Sequence, residues 1–225
     1  YKDAQGRTGA WLASNMVASQ FAGLRLPLEP TAVRANKVLR ARMTLDGVNV
    51  QKKVECWSTT AAVVRIGEES FDWLQISDSL IMIIYQDGHH TLLVDAFDHD
   101  AETLWILKHK GQAAADADEI MVAHQANITY GFINGEPEME NFLNTGTHSL
   151  EGVRSILLFT DGLFLPKEDP REPEDWDTFV SLYKEGGLRW VRECVRALQR
   201  SDPHRTKYPR FKVHDDIAAI DITFE

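Results

Sequence analysis

Between Ser58 and Phe97 four β-rich runs follow one another with almost nothing between them. "STTAAVVRI" (58–66) is followed by Glu68-Glu69-Ser70, "FDWLQI" (71–76) by Ser77-Asp78-Ser79, and "LIMIIY" (80–85) by Asp87-Gly88. "HTLLVDAF" (90–97) closes the series. A parallel crossover needs a dozen or more residues, so connections this short dictate an antiparallel sheet and exclude βαβ units here. Asp87-Gly88 is in addition a hairpin turn signal.

Helices are expected on either side of this block. Gly9–Ala22 is rich in Ala, Leu, Met and Val and stops at Gly23. In "EPTAVRANKVLRARM" (29–43), Thr31 is the expected N-cap, and Ala35, Val38, Leu39 and Met43 share a face. "DAETLWILKHKGQ" (100–112) reads as a helix, and 119–146 as loop, punctuated by Gly131, Asn134, Gly135 and Pro137. "RSILLFT" (154–160) is a strand, 174–200 two helices split at Gly186-Gly187, and "IAAIDITF" (217–224) a closing strand. The expected fold class is α+β, one domain over 1–225 with helices flanking antiparallel sheet.

A formal net charge of −10 over 225 residues disfavours nucleic-acid binding, which needs clustered Lys and Arg. Cys56 and Cys194 are the only cysteines, which fits a reduced, cytoplasmic setting rather than a disulfide framework. No apolar run approaches the roughly 20 residues of a membrane span, so no membrane partner is expected. The opening "YKDAQGRTGAW" lacks a starting Met, which points to a missing or processed N-terminal piece.

Three acidic positions stand at the ends of apolar strands. Asp78 lies between "FDWLQI" and "LIMIIY", Asp161 follows "SILLF" in "TDG", and Asp215-Asp216 precede "IAAIDITF". If these strand ends share one sheet edge, their carboxylates converge and need neutralising, most simply by a hard divalent cation. The plain alternative is that Asp is common in turns because it accepts nearby backbone N–H groups. Other chemistries find less support. Cys194 and Arg200 have the spacing of a cysteine phosphatase, but "VRALQ" between them has no Gly, and Val191, Cys194, Val195 and Leu198 follow a helical face. Cys194 is therefore expected in the core. His89-His90 beside a hairpin turn would point to opposite faces of a strand. His214 is either a proton shuttle or a strand-entry residue. "PHRTKYPRFK" (203–212) either attracts an anionic substrate or is a solvated loop.

In order, "STTAAVV", "ISDSLIMIIYQDG", "LLFTDGLF" and "HDDIAAIDI" resemble the PP2C-like metal-dependent serine/threonine protein phosphatases, bacterial type, over about Ser58–Phe224. That family carries a Gly-Thr-Thr-Ala strand, a Gly-Asp-Ser turn, a Ser-Asp-Gly turn and an Asp-Asn-Ile-Thr strand. "GRTGAWLASNMVASQF" is similar to the helix after the family's first Asp-Gly turn. The resemblance implies two antiparallel sheets packed face to face with helices outside. It implies Mn²⁺ or Mg²⁺ as cofactor, two ions roughly 3.5–4 Å apart that activate a water, and a phosphorylated protein or other phosphomonoester as substrate. By matching motif, Asp161 and Asp215 are its metal ligands, and Asp78 helps hold a third, weaker ion. Asp216 stands where the family has Asn, Ser77 replaces the Gly before Asp78, and Ala218 replaces a Thr. The family's bridging Asp and phosphate-binding Arg are expected ahead of Tyr1, with Asp3 as the stand-in within the chain. Residues 131–146 are expected to form a variable flap that gates the site. The altered motifs leave a competing reading, a phosphatase-like binding or regulatory module without catalysis.

Overall fold

The computed structural model describes residues 1–23, 25–95 and 100–224. Contacts within the expected domain divide it into two compact units. One is Tyr1–Ser79 with Ala123–Glu151, the other Leu80–Val122 with Gly152–Glu225.

The first unit is built on α1 (Gly9–Gly23), α2 (Leu28–Leu45) and a three-stranded antiparallel sheet. Its strands are β1 (Ala61–Ile66), β2 (Ser70–Ile76) and β5 (Asn144–Ser149), in the order β1-β2-β5. Ala35, Leu39 and Met43, one turn apart along α2, meet Leu12, Ala13 and Val17 of α1 and Ile76 of β2 in one core. Leu28 and Ala32 meet Leu74 in another. Val38 is only half-buried. Thr31 is not the N-cap. α2 starts earlier, at Leu28, with Pro27 in the cap position, and the Thr31 hydroxyl donates to the Pro27 carbonyl at 2.8 Å. Pro30 is tolerated because a first-turn N–H has no acceptor within the helix to lose.

Residues 131–146, the expected flap, begin among buried side chains, Ile133 and Asn134, and run through a 3-10 turn (Pro137–Phe142) into β5. Asn36 of α2 holds this segment. Its Oδ1 accepts from the Gly135 N–H at 2.6 Å, and its Nδ2 donates to the Glu136 carbonyl at 2.7 Å. Thr59 and Ile133 exchange backbone hydrogen bonds beside it.

The second unit carries a four-stranded antiparallel sheet, ordered β4-β3-β6-β7: β3 (Leu80–Tyr85), β4 (His90–Leu92), β6 (Val153–Phe159) and β7 (Ala219–Thr223). The short connections thus do not make one sheet. The Asp87-Gly88 turn closes the β3–β4 hairpin as expected, but Ser77-Asp78-Ser79 carries the chain from the strand β2 of one sheet to β3 of the other. β3 and β6 are central and buried along nearly their whole length, which is why both read as unbroken apolar runs. Leu80, Met82 and Ile84 of β3, with Leu157 and Phe159 of β6, pack on Phe179, Val180, Val191 and Val195 of α5 (Trp176–Ser201). α5 is broken where expected, by non-helical Gly186 and Gly187. α3 (Ala101–Lys110) is followed after Gly111, at φ 88°, by α4 (Gln112–His124), so the expected loop at 119–146 is helical in its first residues and strand in its last. Residues 96–97 of the expected fourth strand lie outside the described residues. No helix among the described residues is long and apolar enough to cross a membrane.

Candidate metal centre

β6 ends on a carboxylate because the chain there turns hard around buried anchors. The Thr160 N–H donates to the Ala218 carbonyl at 3.0 Å, continuing the β6–β7 ladder. Residues Asp161–Leu163 then form a 3-10 turn. Asp161 Oδ1 accepts from the Gly162 N–H at 2.9 Å, and Leu163 is fully buried. Gly162 is required by close approach. A Cβ there would overlap the carbonyl oxygen of Asp216 and press on Ile217. The Asp161 turn and the Asp215-Asp216 turn are therefore adjoining segments of one unit.

On the second turn, Asp215 Oδ1 accepts from the Asp216 N–H at 2.8 Å and from the Lys212 ammonium at 2.8 Å. The bond to Asp215 raises the Lys212 pKa against a smaller opposing desolvation, and the negative charges of Asp215, Asp216 and Asp161 add to it. One lysine thus feels both turns. His214 places Nδ1 2.9 Å from Gln199 Oε1. An amide oxygen only accepts, so Nδ1 carries the hydrogen.

Asp78 belongs to the first unit, in the turn after β2. Its neighbour Ser77 has φ 64°, in the left-handed region, which accounts for Gly at this place in the resembled motif. Ser79 Oγ lies 2.6 Å from Thr60 Oγ1 and ties the same turn to the residue before β1. Asp3, the stand-in for a bridging acid, closes a local loop. Its Oδ1 accepts from the N–H groups of Gln5 and Arg7, and its Oδ2 from Arg7 Nε at 2.6 Å. Desolvation opposes the charged form of Asp3, but these Arg7 and Gln5 bonds prevail and lower its pKa. Among the described residues no three His, Cys, Asp or Glu side chains converge as a group that could hold a metal ion.

The remaining candidates resolve by position. Cys194 and Arg200 lie on α5, whose backbone N–H groups are spent within the helix and cannot wrap a phosphate. Cys194 is half-buried rather than buried; Val191 and Val195 take the core face. His89 is at the hairpin tip, 2.8 Å from Asp87 Oδ1 and stacked on Tyr85. His90 is on β4 instead. The basic run 203–212 is turned onto its own chain. Lys207 pairs with Glu168 at 3.2 Å, Arg205 donates to the Arg210 and Phe211 carbonyls, and Lys212 holds Asp215. Lys212 was not separable from the rest of that run by sequence; its spacing of three from Asp215 is the only local signal.

The sequence profile of the protein phosphatase 2C family matches residues 3–201. No curated protein matches the chain. Among solved structures, the catalytic domain of the serine/threonine protein phosphatase PstP, in complex with two manganese ions, superposes with a TM-score of 0.56 at 14% identity, covering 95% of this chain and 81% of that one. The serine/threonine phosphatase Stp1 from Staphylococcus aureus gives 0.53 at 16% identity, covering 96% and 78%. RsbX in complex with magnesium gives 0.51 at 13%, covering 97% and 76%. At these identities the likeness is one of fold; it is the profile match over most of the chain that decides the family, and the chain belongs to the protein phosphatase 2C family.

Proposed function

We propose that the protein is a phosphatase that hydrolyses phosphoserine and phosphothreonine monoesters of proteins with Mn²⁺ or Mg²⁺ as cofactor. The observation that carries this reading is the adjoining of the Asp161 and Asp215 turns at the ends of β6 and β7, in a chain of this family. Asp161 and Asp215 would hold the ion. Their donor chemistry fits it, since they offer hard carboxylate oxygens. The ammonium of Lys212, 2.8 Å from Asp215 Oδ1, supports the reading, since a positive charge already sits against that carboxylate. Among the described residues no group of three His, Cys, Asp or Glu converges, and water, backbone or substrate oxygens would complete the shell. Mg²⁺ commonly keeps several such waters. Asp78 is proposed as a ligand of a further, weaker ion.

When bound, such ions supply Lewis-acid polarisation of a phosphoryl oxygen and a more acidic water. The chain's own part is positional. The two carboxylates stand in the turn that follows β6 and in the segment that leads into β7, and Gly162 lets the two approach. Lys212 neutralises Asp215 in the absence of another cation.

A phosphothreonine peptide, a phosphotyrosine peptide and para-nitrophenyl phosphate, each assayed with Mn²⁺, with Mg²⁺ and with excess chelator, test the reading. Turnover of the phosphothreonine peptide that requires metal, and exceeds that of the phosphotyrosine peptide, is expected. Metal-dependent binding of the phosphothreonine peptide without turnover would instead favour the non-catalytic module.

A further inference from the structure

Three consecutive residues of the Asp215 turn are gripped by two side chains of α5, Arg196 and Gln199, and by Arg210 beyond its end. The Val213 carbonyl accepts from Arg210 Nε at 3.1 Å. The His214 ring meets Gln199 Oε1. The Asp215 carbonyl accepts from Arg196 Nη2. Arg196 and Gln199 are one helical turn apart and bonded to each other, Nη1 to Oε1, at 2.6 Å. Arg210 is itself locked. Its Nη2 donates to the Gln199 and Asp202 carbonyls at 2.9 and 2.6 Å, and its Nη1 to the Tyr208 carbonyl at 2.8 Å. Its Nη1 also lies 3.4 Å from Asp202 Oδ2. The Gln199 and Asp202 carbonyls lie at the end of α5, so one guanidinium holds the helix end and also reaches the turn.

We infer that Arg196 and Gln199 on α5, with Arg210 bonded onto the end of that helix, are positioning residues, which fix the backbone of residues 213–215 and so set where the Asp215 carboxylate stands. Two features separate this from mere stabilisation. Every bond from Arg196, Gln199 and Arg210 onto the turn goes to a main-chain carbonyl or to His214, so none of the three occupies the Asp215 carboxylate, whose Oδ1 takes Lys212 and the Asp216 N–H instead. And a buried ion pair such as Asp202–Arg210, with side chains 6% and 13% exposed, is a weak source of net stability but a strong constraint on geometry. The inference rests on the proposed role of Asp215 in metal binding.

Calorimetric titration of the metal-free protein with Mn²⁺ tests it without reference to turnover. Removal of groups that orient metal ligands typically lowers affinity about 10–100-fold. Arg196→Met should therefore weaken Mn²⁺ binding at least about tenfold while far-UV dichroism stays that of the wild type, and Arg196→Lys should recover part of the loss. Should Arg196→Met fail to fold, Gln199→Met, which frees His214 and Arg196 together, carries the same expectation. A folded variant with wild-type affinity, beside Asp215→Asn that has lost it, overturns the inference and leaves the proposed function standing. Wild-type affinity in both Asp161→Asn and Asp215→Asn overturns the function and the inference with it.

Discussion

Ser77 holds a left-handed φ of 64° with its hydroxyl buried and without a hydrogen-bond partner among the described residues. For a residue with a Cβ this conformation costs roughly 1–2 kcal/mol, part of which a glycine would give back as unfolded-state entropy. Ser77→Gly should therefore stabilise the protein by about 0.5–1 kcal/mol, read as a higher urea midpoint. A lower midpoint would mean that the hydroxyl has a stabilising role. Asp202 presents the opposite case, an acid that the fold favours as an anion. Burial works against its charge, but the N–H groups of Tyr208, Thr206 and Lys207 outweigh burial and hold its carboxyl at about 2. Since the folded form has the lower pKa, this stabilisation is complete above about pH 4 and is lost as pH falls towards 2. Asp202→Asn should cost about 2 kcal/mol at pH 7, and the gap to wild type should close between pH 4 and 2. A gap that stays constant over that window would exclude the charge as its source. Asp161 could be read from sequence because a Thr-Asp-Gly after an apolar run shows on its face. Asp202, Arg210 and Arg196 could not, because their partners are mostly main-chain groups, which a sequence does not display.

Elements were legible where burial left a pattern in the residue types, either an unbroken apolar run or a helical spacing. β3 and β6 are apolar throughout because they are central, and α1, α2 and α5 carry their buried residues at helical spacing. β5, "NTGTHS", is an outer strand with most of its side chains exposed, so it offers no alternation to read. Its Gly146 lies opposite Trp73, and a Cβ there would run into the indole ring. The break between β2 and β3 was hidden for a different reason: a three-residue connection looks like a hairpin whether or not its flanking strands pair. α2 also does work that its apolar face does not reveal, through Asn36. Asn36→Leu would leave the Gly135 N–H without its acceptor and take one of two donors from the Glu136 carbonyl, which keeps the Met139 N–H. Burying that one N–H unpaired should cost roughly 1–3 kcal/mol. The loss should appear locally as faster amide hydrogen exchange across 131–142. Unchanged exchange there would show that the segment is held by its apolar anchors, Ile133 and Met139, alone.

At the scale of the whole molecule, the sequence carried the family through the order of four short motifs, each weak by itself, and the profile match over residues 3–201 bears that out. The two antiparallel sheets were expected from that resemblance; the strand pattern alone pointed only to one. The function proposed for the chain turns on whether its acidic strand ends act on a metal. The most direct measurement is the initial rate of phosphomonoester hydrolysis against Mn²⁺ concentration, for the wild type and for Asp161→Asn, with a chelator control. Loss of a ligand removes ion affinity and water activation together. The account predicts a rate that saturates with Mn²⁺ in the wild type, vanishes with chelator, and falls at least about 100-fold in Asp161→Asn. Turnover that survives chelation, or an Asp161→Asn variant as fast as wild type, would contradict it.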